Sequence, residues 1–226
     1  MNVLCVVAHP DDEIIGCGAT IRKLRNAGHE VYTHVLCGNA DARHDRPDQL
    51  RSLAANAEQI IGVTDSVKSE FKNIQFNVVP HLEMVKAIEQ SIERFRPKWV
   101  FTHHRSDLNI DHRICHETTM AAVMLPQRLS VEGMAPTMIE RVYLFEILSS
   151  TDWASPLEPA FQPNSFFDVR DTFTAKLAAL DAFEGALKPF PHSRSKENLK
   201  HLAHLRGGQI GIELAEAFVL VRDVNL

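Results

Sequence analysis

The residues best placed to do chemistry form the stretch Ala8-His9-Pro10-Asp11-Asp12-Glu13, which follows directly on the apolar run Val3-Leu4-Cys5-Val6-Val7. An imidazole and three carboxylates fall within five residues, where a buried strand would end. Three neighbouring acids repel one another unless a cation or another partner holds them. In open α/β sheets, ligands bind in the crevice beyond the carboxyl ends of the strands. A metal site with a spare carboxylate for proton transfer accounts for the cluster. Catalytic zinc takes three ligands from His, Asp, Glu or Cys and keeps a position for water. His9 and Asp12 sit three residues apart on a turn entering a helix, so both side chains can converge. The third ligand must come from another strand end, and the polar segment Thr102-His103-His104-Arg105-Ser106-Asp107-Leu108-Asn109-Ile110-Asp111-His112 is the best candidate.

The elements that must position these groups read as alternating strands and helices. Residues 2–8 form a continuous apolar run, as in a parallel strand covered on both faces. Glu13 to Ala27 carries mainly helical apolar spacing with Gly28 at the C-terminal cap. Glu30 to Leu36 reads as a strand, Gly38 to Pro47 as a polar loop, and Asp48 to Ile61 as a helix closed by Gly62. Residues 66–79 fit one or two short strands. Leu82 to Phe95 is an amphipathic helix stopped at Arg96-Pro97, Lys98 to Thr102 a strand, and His112 to Met124 a helix. Beyond these lie a strand over Arg141 to Leu148, helices over Thr172 to Phe183 and Lys196 to Arg206, and a last strand over Phe218 to Val221. Alternation of this kind predicts an α/β, Rossmann-like three-layer fold with a mostly parallel sheet and right-handed crossovers. No repeat or linker divides residues 1–226, so a single domain is expected.

On these residues the sequence resembles the PIG-L or LmbE-like family of zinc-dependent N-deacetylases, which act mostly on N-acetylglucosaminyl compounds. The family carries A-H-P-D-D-E after its first strand and a later loop ending in D-H. Arg51 matches a basic position in its second helix, while His192-Ser193-Arg194-Ser195 and Ala215-Glu216-Ala217-Phe218 look like its C-terminal elements. The resemblance implies that His9, Asp12 and His112 bind one zinc ion per chain, a set that Fe2+ or Co2+ could also occupy. It implies that Asp11 is the general base. Many members have a histidine where this chain has Asn109, three positions before His112. Asparagine can donate a hydrogen bond to an oxyanion but cannot deliver a proton. Either Asp11 returns the proton to the amine, serving both transfers as favoured here, or His104 or His192 supplies it, with Asp111 orienting a ligand or a polar neighbour.

Substrate contacts are expected from Arg51, His104, Asp107, His192 and Arg194, each with a plainer alternative. Arg51 suits a phosphate or carboxylate if it faces the cleft, and otherwise lies on a solvated helix face. Asp107 can cap the turn around Leu108, and His104 can be an ordinary polar residue of its loop. His192 and Arg194 rest on the resemblance alone. Glu13 can favour a helix N-terminus or touch substrate. The family's glutamate after Arg51 is absent, Ala54 standing there. A dinucleotide fingerprint at Gly16-Cys17-Gly18 fails, because its third small residue would be Ile21.

The functional expectation is hydrolysis of an N-acetyl group on a small-molecule amino sugar, in a glycoside, glycolipid precursor or nucleotide sugar. A zinc amidohydrolase of a non-sugar amide is the alternative enzyme, and a non-catalytic metal- or sugar-binding module the alternative of another class. A net charge of −5 and a pI near 6.2, with no basic block, argue against nucleic acid and a membrane surface as partners. No run approaches the roughly 18 apolar residues of a membrane span. The four cysteines form no C-x-x-C pair and read as buried reduced thiols. The short N-terminal apolar stretch lacks a basic lead-in, so a cytoplasmic protein is expected. The oligomeric state is open, a homo-oligomer included.

Overall fold

A computed structural model describes residues 1–38, 47–124 and 138–225. Most of the polar loop expected at Gly38 to Pro47 lies outside them, at 39–46. The strands are β1 (Asn2–Val7), β2 (Glu30–Val35), β3 (Asp65–Lys68), β4 (Trp99–His103), β5 (Arg141–Phe145), β6 (Ser165–Asp168) and β7 (Ala215–Asp223). They form one seven-stranded sheet in the order β3-β2-β1-β4-β5-β7-β6. The first five pair in parallel, and β7 runs antiparallel to both β5 and β6. The mostly parallel α/β architecture is the one the alternation predicts.

The helices are α1 (Asp12–Asn26), α2 (Pro47–Ile61), α3 (His81–Phe95), α4 (Ile110–Met124), α5 (Phe173–Ala182) and α6 (Lys196–Gly208). α1, α2 and α5 pack against one another, and α3 packs against α4, so both faces of the central strands are covered. The segment 66–79 takes the single-strand alternative, contributing most of β3 and then a 3-10 turn at Phe76–Val78. The edge strand β6 was not expected, because Ser-Phe-Phe-Asp has no period-two pattern and gains its conformation by pairing with β7. No helix among the described residues is long and apolar enough to cross a membrane.

The strand order reverses between β1 and β4, whose following chains leave in opposite directions. At such a switch point a crevice opens above the strand ends. The motif after β1 and the loop after β4 flank that crevice. Below it, β1 is buried through Val3–Val7, and Phe101 of β4 and Phe145 of β5 are buried as well.

α1 is not one straight helix: Cys17 has φ −146° and ψ 20°. Just before the break, Gly16 lies against Phe145, and a Cβ there would fall 2.7 Å from the ring's Cγ. Gly16→Ala should therefore force Phe145 or α1 to move and cost about 1–3 kcal/mol, as overpacked cores do; chemical denaturation checks this.

His34, buried in β2, has both ring nitrogens engaged, Nε2 with Ser69 Oγ at 2.8 Å and Nδ1 with Ser91 Oγ at 2.9 Å. Burial lowers its pKa from 6.5 to about 4. The unfolded chain therefore binds this proton first as pH falls. His34 should cost stability from about pH 6.5 down to about 4, with a slope approaching about 1.4 kcal/mol per pH unit. Across that window, denaturation of His34→Asn should show a shallower loss than the wild type; equal slopes would contradict the assignment.

Candidate metal centre

Asp12 is the hub. It opens α1 and is 1% exposed. Its Oδ2 accepts the backbone N–H of His9 at 2.9 Å and lies 3.3 Å from His9 Nδ1 and 3.3 Å from His112 Nε2. One ligand atom each from His9, Asp12 and His112 falls within 4.8 Å of the others. The three residues implied as ligands are thus brought together from the loop after β1 and the start of α4.

The remaining nitrogen of each imidazole is held by its own carboxylate. His9 Nε2 lies 3.0 Å from Asp111 Oδ2, and His112 Nδ1 lies 3.2 Å from Asp107 Oδ1. Partners of this kind set the tautomer and ring orientation of metal-binding histidines and raise their basicity. Asp111 is itself fixed by the backbone N–H groups of Ile74, at 2.6 Å, and Phe76, at 3.2 Å. Ile74 has φ 59°, an uncommon region for a β-branched residue. Asp107 accepts from Ser150 Oγ, from Thr151 Oγ1 at 2.8 Å and from Asn109 N–H at 2.8 Å.

The electrostatics follow from this packing. Burial opposes charge on Asp12, yet the neighbouring His112 holds its carboxyl well below the usual carboxylate range. Burial also opposes charge on His112, but Asp12 and Asp107 on either side raise it to about 10. For His9, burial is outweighed by its bonds to Asp111 and Asp12, which raise its pKa.

Asp11 occupies the left-handed region at φ 94°, ψ −24°, just before α1. Aspartate tolerates this conformation better than most residues, and its carbonyl accepts the N–H groups of Ile14 and Ile15. The Asp11 carboxylate is not one of the three converging ligands. Burial, only partly offset by the Arg194 guanidinium, raises it to about 7. Arg194 Nη1 approaches Asp11 Oδ2 at 3.4 Å, while its Nε donates to Ser149 Oγ at 2.8 Å.

The other expected site residues occupy varied positions. Asn109 caps α4, its Oδ1 accepting the Asp111 N–H at 2.9 Å. His104 is buried, with Nδ1 near Ser106 and its ring edge-on to Phe161. Arg51 pairs with Glu70 at 3.1 Å. His192 Nδ1 accepts the Arg194 N–H, shaping the loop that carries the guanidinium. Glu13 is fully buried with no hydrogen-bond partner among the described residues, and burial, with Glu58 adding, raises it well above the carboxylate range. It is therefore not an exposed substrate contact. Sequence reasoning left out Ser149, Ser150 and Thr151, whose only signal is their place after β5. It also left His103 unassigned. His103 is fully buried and stacks on His112 with ring centroids 4.1 Å apart. Its Nε2 accepts the Ala8 N–H at 3.0 Å, and burial lowers it to about 4, so it is a neutral floor to the site.

The family profile for PIG-L, described as GlcNAc-PI de-N-acetylase, matches residues 4–123. The chain belongs to the PIG-L family. Those residues include every member of the His9–Asp12–His112 cluster and both orienting carboxylates. Among curated relatives, an uncharacterized deacetylase of Escherichia coli K12, YaiS, is 29% identical over 189 residues, covering 79% of this chain and 88% of its own. The N,N'-diacetylchitobiose deacetylase of Pyrococcus horikoshii superposes with a TM-score of 0.75 at 22% identity, over 98% of this PIG-L chain and 84% of that one. GalB, the 4-carboxy-2-hydroxymuconate hydratase of Pseudomonas putida KT2440, superposes with a TM-score of 0.76 at 20% identity, over 100% and 98%. The fold is therefore shared by proteins described as catalysing different reactions, and the side chains must decide the chemistry.

If Asp107 and Asp111 act by orienting the histidines, Asp107→Ala and Asp111→Ala should each weaken zinc binding about 10- to 100-fold in chelator competition. Unchanged affinity in both folded variants would contradict that role.

Proposed function

We propose that this protein is a metal-dependent N-deacetylase, with zinc as the fitting ion. It hydrolyses the N-acetyl group of an amino sugar, in an N-acetylglucosaminyl-type glycoside, glycolipid precursor or nucleotide sugar, to the free amine and acetate. The observation that carries this reading is the pairing of roles around Asp12. Three ligand atoms converge, both histidines are oriented by carboxylates of their own, and a fourth carboxylate, Asp11, stands beside them outside the ligand set. The donor set of two imidazoles and a carboxylate suits zinc, with iron or cobalt as alternatives.

When bound, such a cation polarises the amide carbonyl and lowers the pKa of water. The protein's own groups supply the remaining steps. Asp11 takes a proton from the attacking water and returns it to the departing nitrogen as the C–N bond breaks. A carboxyl near neutrality can do both. Arg194, tied to Ser149, holds Asp11 in place. Asn109 offers an amide N–H to the developing oxyanion. Arg51, His104, His192 and Arg194 are assigned to the substrate, and Asp107 acts through His112. Four buried free thiols suit a reducing, cytoplasmic compartment.

The test is acetate release from N-acetylated sugars, nucleotide sugars and glucosaminides by zinc-loaded protein, with a chelated control. Chelator-sensitive release is expected, and Asp11→Asn should lower kcat by at least about 100-fold while zinc stays bound. Zinc uptake with silence across the panel would transfer the reading to a non-sugar amide. Undiminished turnover in Asp11→Asn would remove Asp11 from the mechanism.

A further inference from the structure

The break in α1 contains an ion pair from a distant part of the chain. In an unbroken helix the Ile15 carbonyl would accept the Ala19 N–H, and the Gly16 carbonyl the Thr20 N–H. Here Glu216 of β7 accepts both donors, Ala19 N–H on Oε1 at 3.3 Å and Thr20 N–H on Oε2 at 2.7 Å. Lys176 of α5 donates from Nζ to the Ile15 carbonyl at 2.6 Å and to Glu216 Oε1 at 2.6 Å. Both side chains are only 6% exposed. Thr172, at the start of α5, adds a hydrogen bond from Oγ1 to the Ala19 carbonyl at 2.8 Å. A carboxylate on the freed N–H groups and an ammonium on the freed carbonyl thus fill the gap in the helix with matched polarity.

On one side of the break is the single turn that follows Asp11 and holds Asp12 and Glu13. Its far end is fixed by Lys176 on Ile15 and by the contact of Gly16 with Phe145. Phe145 in turn meets His103 edge-on, with centroids 4.8 Å apart. Lys176 and Glu216 lie outside residues 4–123, the span of the family match, and their described polar contacts are to each other and to the backbone at the break in α1. Two opposite charges buried this deeply carry a desolvation penalty that an apolar pair of similar volume would avoid. Stability alone is therefore a poor reason for them, whereas a fixed break ahead of the reacting groups is a use that needs both signs.

We infer that Lys176 and Glu216 are positioning residues, which hold α1 broken at Cys17 and thereby aim the turn carrying Asp11 and Asp12 at the candidate metal centre. The inference rests on the metal-dependent reading above.

The experiment compares wild type with the double variant Lys176→Met/Glu216→Leu, an apolar pair of similar size. Co2+ alone is the first probe, followed by its visible absorption and by titration against a chelator. Amide hydrogen exchange at Ala19 and Thr20 is read in parallel. The folded double variant is expected to exchange at least about tenfold faster at both amides, to show an altered Co2+ band, and to bind Co2+ about tenfold or more weakly. On an amide that the wild type hydrolyses, kcat should fall by as much as about 100-fold with KM nearly unchanged, as for misplaced reacting groups. The charge-swapped Lys176→Glu/Glu216→Lys should not recover the wild-type spectrum, because it restores the pair but inverts its polarity toward the helix. An unchanged Co2+ spectrum and affinity overturn the proposal, and so does faster exchange without spectral change, which would make the pair merely structural. Should the double variant fail to fold, Thr172→Val and Lys176→Arg take its place: Thr172→Val should shift the Co2+ band, Lys176→Arg should preserve it, and the reverse pattern overturns the proposal. Failure of the wild type to take up Co2+ at all is a failure of the metal reading itself, visible before any variant is compared.

Discussion

Taking a carboxylate out of water costs several kcal/mol unless the surroundings compensate it, and Asp12 is almost wholly out of water. Much of the surrounding structure can be understood as the compensation. Three imidazoles, of His9, His103 and His112, and a backbone N–H converge on its Oδ2. Asp12 on one side of His112 and Asp107 on the other both favour its charged form, and Asp12 and Asp111 stand in the same way about His9. The chain of demands ends at backbone amides and hydroxyls, which pay no comparable desolvation cost: Ile74 and Phe76 for Asp111, and Ser150, Thr151 and Asn109 for Asp107.

The arrangement explains why so many loops participate. His9 and Asp12 come from the end of β1, Asp107 to His112 from the end of β4, Ile74 and Phe76 from the chain after β3, Ser149 to Thr151 from the chain after β5, and Arg194 from the loop before α6. A parallel sheet opens these strand ends on one edge, and the switch between β1 and β4 leaves the crevice between them. Local irregularity is concentrated there: Asp11, Ile74 and Ser149 all have positive φ, as is common where a site over-determines its backbone. The scaffold itself is less particular, since a hydratase and a deacetylase share it.

Much of the central fold was legible in the linear chain, for clear reasons. Strands covered on both faces must be continuously apolar, so β1 and β4 stand out, and 3.6-residue periodicity marks α3. The hub of the site was legible too, because three adjacent acids beside a histidine have few uses apart from a cation. β6 was hidden, because four residues without alternation become a strand only by pairing with β7. The two roles of the loop carboxylates were only partly readable: spacing cannot tell a residue that faces substrate from one that turns inward to hold an imidazole, as Asp107 does.

The sequence by itself determined which groups are available: two imidazoles and a carboxylate that can meet, further aspartates beside them, and a parallel sheet to bring two strand ends together. Those are properties of residue type and short spacing. Only the tertiary structure decided what each group's surroundings make of it. His103 became a neutral floor because Ala8 donates to it, Asp11 moved toward neutrality because burial outweighs Arg194, and Glu13 lost its solvent altogether. Lys176 and Glu216, far from the motif in the chain, reached the gap in α1 because α5 and β7 pack against that helix. Burial and long-range pairing depend on residues distant in sequence, and those are set when the chain closes on itself.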